Sequence, residues 1–163
     1  MKTTTTTCNP SQSQNISLYL RLSLAPNTPA LLPMTDVKEV LSIKRDRITP
    51  IPNMPECFFG LLNQRSRIFW VVDLPQLLGM TPVERSSQQY NLILLGRQNS
   101  AFAAVVPRIE GVSRLDSATI QAPSQHIATE LASYLQGCLF QENQPLLVLD
   151  SEYLLTSPQL SGY

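Results

Sequence analysis

The sequence predicts a mainly β protein made of two copies of one small unit, and three observations carry the prediction. Short runs of apolar and β-branched residues recur with turn-forming residues between them, the pattern of small barrels or a sandwich. The spacing of apolar positions in the first half reappears in the second, at an offset of 72 residues and then of 77. Helical periodicity is confined to short stretches, the longest from His126 to Leu135, where Ile127, Leu131 and Leu135 are spaced by four. A unit of about 70 residues buries limited surface, so the two copies are expected to share an apolar seam.

In chain order, Ile16 to Leu24 alternates and is rich in β-formers, which makes it the first strand. Ala30-Leu31-Leu32 gives a second, with Pro33 at its end, where a missing ladder donor is tolerated. Asp36 is placed to cap a short helix carrying Val37, Val40 and Leu41 on one face. Ile48-Thr49-Pro50-Ile51-Pro52 is held extended by its prolines. Next comes a hairpin, with Leu61 and Leu62 in one strand, Asn63 to Ser66 as a polar turn and Ile68 to Val72 in the other strand. Five apolar residues in a row imply that this last strand is buried on both faces. Asp73 is then expected as a helix N-cap, Pro75 falls in the first turn, and Gly79 can end the helix in a left-handed conformation.

The internal correspondence is specific. Tyr19-Leu20-Arg21-Leu22 matches Asn91-Leu92-Ile93-Leu94, Val37 matches Ile109, Val40 matches Val112 and Ile48 matches Ile120, all 72 apart. Further on, Gly60 matches Gly137, Asp73 matches Asp150, and Leu77-Leu78 matches Leu154-Leu155, all 77 apart. An insertion of five residues (77 − 72), around Ser124 to Tyr134, reconciles the two registers. The chain is therefore expected to hold one domain over residues 15–157, its first unit near 15–84 and its second near 85–157, with tails at 1–14 and 158–163.

Composition narrows the function. Charged residues make up 15% of the chain, against about 25% in an average globular protein. Twelve basic residues balance twelve acidic ones, so no net field attracts nucleic acid or an anionic membrane. The apolar runs fall far short of the roughly 20 residues that cross a bilayer. Met1 to Gln14 contains a threonine run and no apolar stretch of the secretory kind, and reads as a disordered tail. Cys8, Cys57 and Cys138 suit a reducing cytoplasm and resemble neither a disulfide framework nor a zinc site.

Nothing in the pattern carries catalytic chemistry. The sole histidine, His126, has no Cys, Asp or Glu at ligand spacing and reads as a surface residue. Asp73 and Asp150 stand before apolar helix turns and read as N-caps rather than as an acid–base pair. Ser66 and Ser151 lack a histidine base, and no Gly-rich phosphate loop occurs. No catalytic residue, metal or cofactor is expected. The basic groups Lys44, Arg45 and Arg47, and Arg65 with Arg67, are either solvated turn charges or the edge of a docking surface, and their spacing does not choose. A small β-barrel module for nucleic acid or a small ligand is the alternative, although Phe69 and Trp70 lie in an apolar run that suits core packing better than base stacking.

Four segments, Val37-Lys38-Glu39-Val40-Leu41, Ile48-Thr49-Pro50-Ile51-Pro52-Asn53-Met54-Pro55, Gly60-Leu61-Leu62-Asn63-Gln64-Arg65 and Val71-Val72-Asp73-Leu74, resemble the CheW family of chemotaxis coupling proteins in order and spacing. The likeness runs from about Ile16 to Leu155. It implies two SH3-like, five-stranded β-barrels with a common core and short helices, with strand exchange between the barrels left open. It also implies a cytoplasmic, non-enzymatic adaptor, recruited to membrane receptor arrays, that joins the regulatory domain of a CheA-like histidine kinase to the cytoplasmic tip of chemoreceptors. By position, Val37 and Glu39 on the expected first helix and Arg65 in the hairpin turn match receptor-binding positions. Ile43, Lys44, Arg45 and Arg47 are the candidates for the kinase contact. Ser66 departs from the family, which has a glycine there, and the divergent second half leaves room for a coupling protein of pilus motility or phototaxis.

Overall fold

Alternation in the first apolar stretch is realised as strand β1 (Ile16–Ala25), followed by β2 (Thr28–Pro33). The computed structural model describes residues 15–162; the expected tail at 1–14, with Cys8, lies outside the described residues. A 3₁₀ turn, Met34–Asp36, leads into β3 (Val37–Lys44), and a second, Arg45–Arg47, into the short β4 (Ile48–Thr49). The central hairpin is β5 (Phe58–Gln64) and β6 (Arg67–Asp73), followed by the one-turn helix α1 (Leu74–Leu77). The second half runs β7 (Gln89–Arg97), β8 (Ser100–Val106) and β9 (Arg108–Asp116), then a 3₁₀ turn, Ser117–Thr119. It closes with helix α2 (Thr129–Ser133), β10 (Leu135–Gln141), β11 (Gln144–Leu149) and α3 (Ser151–Leu155). The offset of 72 relates β7 to β9 to the first three strands, the offset of 77 relates β10, β11 and α3 to the central hairpin and α1, and α2 occupies the insertion.

The two halves do not fold separately. One sheet has the order β10-β11-β2-β1-β9 and the other β3-β7-β8-β6-β5-β4, so the first two strands of each half complete the sheet of the other half. The joins are parallel and equivalent: β11 meets β2 at Val148↔Leu31, and β6 meets β8 at Val71↔Ala103. Each curled sheet is an SH3-like barrel. Burial follows from this exchange. Leu92, Leu94, Ala103 and Val105 fill the inside of the six-stranded barrel, whereas Ile93, Leu95, Phe102, Ala104 and Val106 face a core shared by both sheets. In the same way Tyr19 and Leu31 face inward in the five-stranded barrel, and Leu20, Leu22, Ala30 and Leu32 join the shared core.

Local signals hold where they have a backbone cause. Asp73 caps α1 by accepting from the Gln76 N–H at 3.0 Å, and Asp150 caps α3 by accepting from Tyr153 at 3.0 Å. Asp73 also accepts from the Val83 N–H at 2.8 Å, and burial raises its carboxyl despite these bonds and the nearby Arg85 charge. Gly60 and Gly137 stand at register shifts of the two hairpins, where β4 or its counterpart crosses closely. A Cβ at Gly60 would meet the Thr49 carbonyl oxygen at 2.1 Å, and one at Gly137 the Gln121 oxygen at 2.1 Å.

Three expectations are corrected. Val37, Val40 and Leu41 lie on β3, not on a helix capped by Asp36: burial alternates along Val37, Glu39, Leu41 and Ile43, and Val40 is left 44% exposed. The spacing of four between Val37 and Leu41 is met by both periods, that of three between Val37 and Val40 by a helix alone, and pairing with β7 overrode the helical pattern. The Ile68 to Val72 strand is not buried throughout, since Ile68 is 68% exposed beside the turn. The helical pattern from His126 to Leu135 shortens to Thr129–Ser133, because Leu135 already pairs with Leu149. His126 itself is exposed. The C-terminal residues fold back, with Leu160 packed against the shared core.

Asp36 instead ties the barrels together. Its buried carboxylate accepts from Arg97 Nε at 2.9 Å and Nη2 at 2.7 Å, and the Ser151 hydroxyl at the start of α3 donates to it as well. Arg97 also pairs with Glu152 at 3.0 Å. Burial would raise the Asp36 carboxyl, but the bonds from Arg97 and Ser151 and the charges of Arg97 and Lys38 hold it below the ordinary range. A folded value below the unfolded one, about 3.9, makes this a contribution complete above about pH 4 and lost as pH falls through the folded value. Asp36→Asn should cost about 1–3 kcal/mol near neutral pH and flatten the acid limb of stability, read from urea midpoints over a pH series. Gly60→Ala should cost about 3 kcal/mol, because backbone opposes it, whereas Gly79→Ala, with open space around its Cβ, should cost only about 1–2 kcal/mol for positive φ.

Candidate functional site

The central hairpin turns tightly. Arg65 and Ser66 both have positive φ, 52° and 64°, so the turn is the primed type that matches strand twist, achieved without glycine. Asn63 and Gln64, expected in the turn, still belong to β5 and pair with Ile68 and Arg67. Curling of the six-stranded sheet carries its edge strand β3 round to this turn. Glu39 Oε1 accepts from Arg65 Nη2 at 3.2 Å and from Gln64 Nε2 at 3.4 Å. Arg47 Nη2 braces the same hairpin, donating to the Asn63 carbonyl at 2.9 Å and to Gln64 Oε1 at 3.2 Å.

The ion pair is asymmetric in exposure: the Arg65 side chain is 78% exposed and the Glu39 side chain 24%. Such a pair adds little to stability, so its arginine is available to a partner's carboxylate or carbonyl. A groove of about 310 Å³ lies alongside, lined among others by Lys38, Arg65, Arg67, Phe69 and Gln98. The Arg67 guanidinium sits over the Phe69 ring, 5.4 Å from its centroid. Cations outnumber Glu39 around this groove, which favours an acidic partner surface.

Of the positions singled out in the sequence, Glu39 and Arg65 are brought into contact, and Val37 lies on the same strand, half-buried against the shared core. Arg47 joins them through the hairpin rather than standing with Lys44 and Arg45. Ile43 is 4% exposed and packs inside the six-stranded barrel, so in the Ile43 to Arg47 stretch the outward contacts fall to Lys44 and Arg45. Sequence reasoning missed Gln64 and the Phe69–Arg67 stack. It also missed an apolar patch of Ile16, Leu18 and Val112, each about half exposed, where β1 and β9 run beyond the shared core. The alternation of β1 continued past the residues that could be covered, and that was the available signal.

Nothing in the groove resembles a catalytic constellation. Ser66 forms the turn and Ser151 is bound to Asp36. Among the described residues no group of three His, Cys, Asp or Glu could hold a metal, and no helix is long and apolar enough to cross a membrane.

The family model of the CheW-like domain matches residues 19–159. The chain belongs to the CheW-like domain family. It is 28% identical over 127 residues to the chemotaxis protein CheW of Treponema pallidum (strain Nichols), covering 76% of this chain and 74% of that protein. The structure is similar to that of the scaffolding protein TtCheW from Thermoanaerobacter tengcongensis, with a TM-score of 0.72 and 22% identity over 88% of this chain and 94% of that one. At that identity the likeness bears on the fold: two barrels around one core. Within this CheW-like frame Ser66 has kept the turn that a glycine would make with less strain. Ser66→Gly should therefore raise stability by about 0.5–1 kcal/mol, measured by thermal unfolding, and leave the Glu39–Arg65 pair in place.

Proposed function

We propose that the chain is a non-enzymatic signalling adaptor that couples chemoreceptors of the methyl-accepting type to a CheA-like histidine kinase, in chemotaxis, phototaxis or pilus-based motility. The observation that carries this reading is the contact between Glu39 and Arg65, with Val37 two residues from Glu39 on the same strand. Glu39 and Arg65 bond directly although 26 residues separate them in the chain, and both line a groove with an excess of cations. Membership in the CheW-like family and similarity to a protein named for chemotaxis support it. The receptor tip would engage Val37, Glu39 and Arg65, and Lys44 and Arg45 would face the regulatory domain of the kinase. The adaptor acts in the cytoplasm, at receptor arrays, and without a cofactor.

The mechanism is positional. An adaptor held by two partners shifts kinase populations only if its contacts differ between the receptor's states. Arg65 suits such a role because its planar guanidinium can exchange the Glu39 carboxylate for one on a partner without unfolding the hairpin. Calorimetric titration against the regulatory domain of the cognate kinase should give a one-to-one complex at micromolar strength. Arg65→Ala should remain folded and bind a receptor tip fragment about tenfold or more weakly, roughly 1.4 kcal/mol. Unchanged receptor affinity in that folded variant would remove Arg65 from the contact.

A further inference from the structure

A second hollow opens beside the 3₁₀ turn Arg45–Arg47. It measures about 510 Å³, is lined by Arg45, Asp46, Ile48, Phe59, Arg85 and Tyr90, with Pro50 at its margin, and shares no residue with the Glu39–Arg65 groove. Three features distinguish it from an incidental gap. Tyr90 is 4% exposed, and its hydroxyl is buried with no hydrogen-bond partner among the described residues. A buried phenol is ordinarily bonded, so an orphaned one marks a place where another group belongs. Arg85 is fixed in position: its guanidinium lies 4.0 Å over the Phe59 ring, Nη1 donates to the Phe58 carbonyl at 3.2 Å, and Nη2 donates to the Glu56 carbonyl. Arg45 is exposed, and its side chain makes no hydrogen bond or ion pair among the described residues.

The internal repeat supplies a control. The counterparts of Arg45, Phe59 and Tyr90 at the established offsets are Ser117, Gln136 and Leu18, whereas Ile48 keeps an isoleucine, Ile120. The isoleucine is thus common to both barrels, whereas the arginine, the phenylalanine and the tyrosine are not. Those three are present in the six-stranded barrel alone: Phe59 and Tyr90 stack edge to face, 5.2 Å between centroids, and pack in its core, while the exposed Arg45 contributes nothing to that core and is free for another role.

We propose that this hollow is a binding pocket for a carboxylate side chain carried on an apolar segment of a protein partner. The two guanidiniums against one carboxylate, Asp46, leave a positive balance for the anion. Ile48, Pro50 and the ring of Phe59 receive the apolar stem, and the Tyr90 hydroxyl, enclosed in the free protein, gains its missing bond when the inserted group displaces the side chains that cover it. Because Arg85 is held by stacking and by two carbonyls before anything binds, little ordering is required of it on association. Under the adaptor reading the partner is the regulatory domain of the kinase, and the inference rests on that reading for the partner's identity alone.

The test uses the full chain in two arms. Isotope-labelled protein is titrated with 3-phenylpropionate, a carboxylate on an apolar body, and with its neutral analogue 3-phenylpropanamide. Saturable shifts at the amides of Arg45, Ile48, Phe59 and Tyr90, at least fivefold tighter for the acid, are expected; equal affinity for the two, or no shift at these amides, overturns the pocket. In the second arm the kinase regulatory domain is titrated against wild type, Arg45→Glu and Tyr90→Phe. Arg45→Glu should bind about tenfold or more weakly and Tyr90→Phe several-fold more weakly, while the melting temperature of free Tyr90→Phe is equal to or above wild type. Full kinase affinity in Arg45→Glu removes the kinase from this pocket and leaves the adaptor reading standing. Absence of binding by wild type removes the adaptor reading itself, and the fragment titration then decides the pocket independently.

Discussion

Three strands, β2, β7 and β8, are each buried on both faces, and the rest of the molecule depends on that constraint. Strand β1, paired with β2, turns only one face to the shared core along most of its length. Along β7 and β8 successive residues alternate between the inside of a barrel and the core between the barrels. A strand with one wet face would show polar residues at every second position; these show Leu92 to Leu95 and Phe102 to Val106 without interruption. Since each pair crosses into the sheet of the other half, neither half can bury its apolar residues by itself. The shared core and the strand exchange are one requirement seen twice.

Repetition and asymmetry divide structure from function. Features that recur at the repeat offsets serve the fold: the Asp73 and Asp150 caps, the Gly60 and Gly137 crossings, and the isoleucines at 48 and 120. Features found once are candidates for something else. Asp36, Arg97 and Ser151 form a clamp whose counterparts are Arg108, Ala25 and Leu74, so this charged clamp is not repeated at the equivalent positions of the other half. The turn at Arg65 is cationic, while its counterpart is Glu142, also at positive φ. One backbone solution thus presents opposite charges on the two barrels.

The site combines these two kinds of residue. Hairpin geometry is set by backbone strain and strand twist, and the charges lie on a scaffold that does not need them. That is why Arg65 can be largely exposed, paired with Glu39 yet dispensable to the core. Adaptors bind through such surfaces. Their affinity comes from side chains at positions whose backbone is already fixed.

From the sequence alone, the repeat, the mainly β class, both aspartate caps and the hairpin could be read, because each rests on local chemistry or on spacing within one element. Likeness to the coupling proteins singled out Glu39 and Arg65, but the sequence held no sign that they touch. Tertiary structure decided three things. It made β3 a strand, since the apolar spacing of Val37, Val40 and Leu41 suits a helix and gives way only because β7 offers a partner. It turned Ile43 inward and left Ile68 outward, which depends on where the barrel ends. And it brought Tyr90, with its orphaned hydroxyl, and Arg45 to one hollow, because which residues of separate elements meet is set by sheet curvature, and curvature is a property of the whole packed molecule.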